Sequence, residues 1–88
     1  MIAVEHYLRR VRDLLSSVAA ILTHDEQAEV SYLVDHGEPA EALRTLAWII
    51  VEEDKRVPAA ALAAIKDLTA GLVDEKDLPD RLDDFAAR

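Results

Sequence analysis

An 88-residue chain with this much Leu, Ile, Val and Ala can fill one hydrophobic core and not two, so a single helical domain over residues 1–88 is expected. Its 18 Asp and Glu against 10 Lys and Arg give a formal charge of -8 at pH 7, which argues against nucleic acid and anionic membrane surfaces and favours encounter with a cationic protein. The absence of Cys excludes disulfides, thiolate catalysis and Cys-based zinc sites.

The first predicted helix covers residues 2–22. Val4, Tyr7, Leu8, Val11, Leu14, Leu15, Val18, Ile21 and Leu22 share one arc of a helical wheel, and Glu5, Arg9 and Asp13 follow one another at intervals of four on the other. Thr23 with Glu26 three residues on has the form of a capping box, which starts a second helix over residues 24–36 that Gly37 ends. Pro39 opens a third helix, to about residue 54, and Pro58 a fourth that stops at Gly71. A short fifth helix, residues 78–87, is expected to begin around Pro79 and to dock Leu82 and Phe85. No segment alternates as a strand does. The expected architecture is therefore all-α, a compact four- to five-helix bundle with short connections. Helix 3 is its predicted centre, because residues 46–51 are apolar on every side.

The start of the chain turns charged at Glu5 and has no apolar signal core, and the longest apolar run, residues 57–65, is broken by Pro58 and too short for a bilayer. The expected location is the cytoplasm. No catalytic residue, metal ligand or cofactor is expected. His24 and His36 have acidic neighbours, but no two histidines have the helical spacing that would place two ligands on one face. Ser16, Ser17 and Ser31 lie in polar helix faces without a strained turn or a partnered base, and no Gly-rich phosphate loop exists.

Two features stand out. Trp48 projects away from the predicted core stripe Leu43, Leu46, Ala47 and Ile50, onto the side that carries Glu41, Arg44 and Glu52. It has two readings: a core residue buried against helix 1 or helix 5, or an anchor for a partner, a role in which Trp is enriched. The second feature is clustered acid. Glu52, Glu53 and Asp54 close helix 3, where the helix dipole disfavours negative charge, and Asp74, Glu75, Asp77, Asp80, Asp83 and Asp84 form a longer run. Such runs form either a solvated face or a partner surface, and Asp77 and Asp80 also suit a helix start.

The stretch from Asp35 through Gly37, Glu38, Pro39, Glu41, Ala42 and Leu43, continuing to Leu46, Ile50 and Glu53, resembles the MafI family of bacterial immunity proteins. There a Gly-Glu pair ends one helix, a Glu-Ala-Leu run opens the next, and an acidic residue lies near its end. The resemblance covers roughly residues 33–72. It implies a small helical protein that binds and neutralises a secreted toxin, often a nuclease, by covering its active site or a neighbouring surface. With the charge, it sets the expected partner-binding residues as Glu38, Glu41, Trp48, Glu52, Glu53 and Asp54, together with Asp74, Glu75, Asp77 and Asp80, and the partner as a cationic toxin domain. The alternative is a non-catalytic acidic helical adaptor or regulatory module.

Overall fold

The computed structural model describes residues 2–87, with the side chain of Ile2 left aside. Four α-helices follow in order: α1 (Ile2–Val18), α2 (His24–Asp35), α3 (Pro39–Glu52) and α4 (Ala59–Thr69). Two short 3-10 turns, Glu75–Asp77 and Leu82–Phe85, complete the chain, and no strand occurs among the described residues. Central α3 packs on all three other helices and on the second 3-10 turn, while α1 lies against α4. Leu43, Leu46, Ala47 and Ile50 of α3 are fully inaccessible, as the core stripe predicts, and share one apolar cluster with Val11, Val18, Val30 and Ile65. The Cα radius of gyration, 12.0 Å, is what a single compact unit of this length has, about 12 Å.

The helix boundaries have local causes. Thr23 and Glu26 form the capping box: the Glu26 amide donates to Thr23 Oγ1 at 3.1 Å, and the Thr23 amide donates to Glu26 Oε1 at 2.8 Å. The same Glu26 oxygen lies 3.1 Å from Lys55 Nζ, which ties the start of α2 to the end of α3. At the end of α2 the Glu38 amide reaches back to the Leu33 carbonyl and the Gly37 amide to that of Val34, a Schellman closure with Gly37 at φ 80°. The end of α3 repeats it: Lys55 bonds back to Ile50, Asp54 to Val51, and Asp54 takes the left-handed place at φ 51°.

An aspartate at that place carries backbone strain that glycine would not, and its charge opposes the helix dipole. Its exposed contact with Arg56, 3.5 Å, offsets little. Asp54→Gly should therefore stabilise the protein by about 0.5–1 kcal/mol. The expected signature is a higher urea midpoint at unchanged slope; an unchanged or lower midpoint would show that Asp54 is not strained.

Glu26 gives a pH test. Its bond from the Thr23 amide, then its contacts with Lys55 and the Thr23 hydroxyl, hold its carboxyl below the ordinary glutamate value against the opposing effect of burial. Because the folded value is the lower one, the stabilisation is complete above the unfolded value of about 4.3 and disappears as pH falls through the folded one. Glu26→Gln keeps a capping acceptor and loses the charge, so it should destabilise modestly at pH 7, by under about 1 kcal/mol, and flatten the acid loss of melting temperature. A variant as acid-sensitive as the wild type would contradict this account.

Three expectations are corrected. Helix 1 ends at Val18 and not at residue 22: the chain turns so that Leu22 can bury and Thr23 can cap α2, while Gln27 Nε2 donates to the freed Ala19 carbonyl at 2.7 Å. Val4, predicted to face inward, is 56% exposed, because the first turn of α1 extends past the core. The fifth helix, expected over residues 78–87, is replaced by a turn and the short 3-10 turn Leu82–Phe85. Pro79 and closely spaced Asp residues favour turns there, and the segment is too short to propagate a helix alone. Leu82 and Phe85 nevertheless bury as expected. Arg56 reinforces them by donating to the Asp84 carbonyl and lying 5.0 Å from the Phe85 ring centre, and Val57 forms an isolated parallel bridge with Ala86.

Candidate functional site

Among the described residues every buried side-chain nitrogen or oxygen has a hydrogen-bond partner, so the interior offers no unsatisfied polar group to a ligand. No three His, Asp or Glu side chains there converge as metal ligands. His24 opens α2, and the His36 ring stacks on Tyr32 with centroids 3.9 Å apart. The chemistry available is that of the surface.

One strip of that surface combines charge, an aromatic ring and a groove. Pro39 at the start of α3 and the closure at its end bound an element of 14 residues, whose outward arc holds Glu41, Arg44, Thr45, Trp48 and Glu52. Glu52 is the exposed member; the others are half-buried. Trp48 Nε1 donates to the Asp77 carbonyl at 2.8 Å. The indole therefore takes a position between its two predicted ones: it leans on the acidic segment after α4 and keeps part of its ring at the surface. Arg44 bonds to Glu41 through two nitrogens, and that hydrogen bond is the main reason the Glu41 carboxyl is held below its ordinary value. The same bond, with a further attraction from Asp77, keeps the Arg44 guanidinium firmly charged.

Toward α2 the strip borders an open groove of about 470 Å³ lined by Glu29, Arg44, Thr45, Trp48, Ile49 and Glu52. Neither Glu29 nor Glu52 pairs with a cation among the described residues. Sequence reasoning missed Glu29, whose placement depends on how α2 pairs with α3. It also missed Tyr32, 60% exposed on the outer face of α2; an aromatic among polar neighbours was the available signal.

The predicted site residues divide into groups. Trp48 and Glu52 line the groove together, Asp77 supports the indole through its carbonyl, and Glu41, about 16 Å along the helix axis from Glu52, joins the strip only through Arg44. Glu38 lies at the other end of α3, about 20 Å along its axis from Glu52, where its side chain makes no cap bond. Glu53 and Asp54 turn away into the closure beside Arg56. Asp74 caps the first 3-10 turn by accepting from the Lys76 amide at 3.2 Å, a local structural role. Glu75 and Asp80 border a different hollow, against Lys66 and Thr69 of α4.

A second groove, between α1 and α2, is lined by Leu15, Leu22, Val30 and Val34 and bridged by Arg12 and Asp35 at 3.6 Å. It has neither the free carboxylates nor the aromatic ring of the α3 strip. Comparison of the chain with family models, with curated proteins and with solved structures finds no match.

Proposed function

We propose that this chain is an immunity protein: a cytoplasmic inhibitor that binds a secreted bacterial toxin domain one to one through an acidic surface and catalyses nothing. The observation that carries the reading is the outward strip of α3, where Trp48, braced by the Asp77 carbonyl, borders a groove that also holds two unpaired carboxylates, Glu29 and Glu52. The net charge of -8 and the resemblance of residues 33–72 to MafI proteins support it. A nuclease-type toxin has a basic surface to hold phosphates, and an acidic surface with an aromatic anchor complements it.

The purified protein should form a one-to-one complex with a cationic toxin domain encoded beside it. Association should slow by about tenfold or more between low and high salt, because steering by net charge is screened, while dissociation changes little. An association rate independent of salt would overturn the electrostatic reading. Tight binding to a neutral or acidic partner would place the chain among adaptor modules.

A further inference from the structure

We infer that the groove between α2 and α3 is a receptor for a single arginine side chain of the partner, stacked on Trp48 and held between Glu29 and Glu52. The inference rests on the proposed function for its partner and adds which residue of that partner is read and by what.

The indole N–H of Trp48 is already committed to the Asp77 carbonyl. The ring stays partly accessible and borders the groove, so what it can still offer a ligand is its π system, which attracts cations. Glu29 from α2 and Glu52 from α3 line the same groove as that ring, and both side chains lack a cationic partner among the described residues. Arg44 lines the groove too, but Glu41 holds it and the field of Asp77 adds to that hold, so it contributes little repulsion toward an incoming cation. A guanidinium suits this place better than an ammonium. It is planar, weakly hydrated, able to stack on an aromatic face and able to bond two carboxylates through its separate edges. Thr45 and Ile49 supply the floor against which its aliphatic stem can pack.

Trp48 is the sole tryptophan of the chain, so its fluorescence reports on the groove directly. Two synthetic peptides of equal length, alternating glycine with arginine or glycine with lysine, are titrated into the full protein at low salt. The arginine peptide should change Trp48 emission saturably and bind about fivefold to tenfold more tightly than the lysine peptide. Glu29→Gln with Glu52→Gln should erase that preference. Glu5→Gln with Asp13→Asn, the same charge change on the outer face of α1, should keep it. Equal affinity for the two peptides, no binding of either, unchanged emission, or an equal loss in the α1 variant would each overturn the inference. The two proposals fail separately. Protection against a toxin by a protein without arginine preference overturns the groove assignment alone, whereas arginine preference in a protein that protects against nothing overturns the immunity reading alone.

Discussion

Leu43→Ala is expected to lower the free energy of unfolding by about 2–5 kcal/mol, and Ile50→Ala by a similar amount. Both side chains are fully inaccessible on the inner arc of α3, the helix against which every other helix packs. Truncation loses the transfer energy of the removed methyl and methylene groups and leaves a cavity that the surrounding helices cannot fill without shifting. A chain of this length has roughly 4–13 kcal/mol in total, so either substitution removes a large share of it. Urea denaturation measures the loss. A change below about 1 kcal/mol at both positions would mean that α3 presents a different face to the core.

Reversing Glu29 and Glu52 together to lysine should weaken binding of the toxin domain by about a hundredfold or more, since each change removes an attraction and adds a like-charge repulsion at one groove. Reversing Glu53 and Glu38, which lie outside the groove, should cost far less and act mainly on the association rate. All four carboxylates are exposed, so the helical circular dichroism spectrum should survive either pair of changes. Titration calorimetry of the two double variants against the same domain separates the outcomes. Equal losses would show that only total charge matters and that the groove has no special part.

The architecture was legible in the sequence wherever a single local cause decides. The Thr23–Glu26 box, Gly37 after α2, Pro39 in the first turn of α3 and the inaccessible stripe of Leu43, Leu46, Ala47 and Ile50 all follow from residue chemistry at fixed spacing. What stayed hidden depends on contacts between distant parts of the chain. Trp48 finds its partner 29 residues away in a backbone carbonyl, and no side chain announces a carbonyl. Val57, alone between Arg56 and Pro58, carries no periodicity, yet it is fully inaccessible through its pairing with the segment after Phe85.

The acidic residues show the same division. Glu52, Glu53 and Asp54 are consecutive, but helical rotation places Glu52 at the groove while the chain closure draws Asp54 into a left-handed turn. Their charge was legible, and their separate placements were not. Glu29 joins the strip only because α2 packs on α3 in one particular register, which a one-dimensional pattern does not specify.

The central claim, that this chain protects a cell by holding a cationic toxin domain on its α2–α3 face, is tested most directly by survival. Cells expressing the toxin domain encoded beside the gene are given the wild-type protein, the Glu29→Lys/Glu52→Lys variant or the Glu38→Lys/Glu53→Lys variant, each at matched soluble levels, and surviving colonies are counted. The wild type and the Glu38/Glu53 variant should restore growth, and the Glu29/Glu52 variant should not. Failure of the wild type to protect would contradict the immunity function, and full protection by the Glu29/Glu52 variant would place the binding surface elsewhere on the molecule.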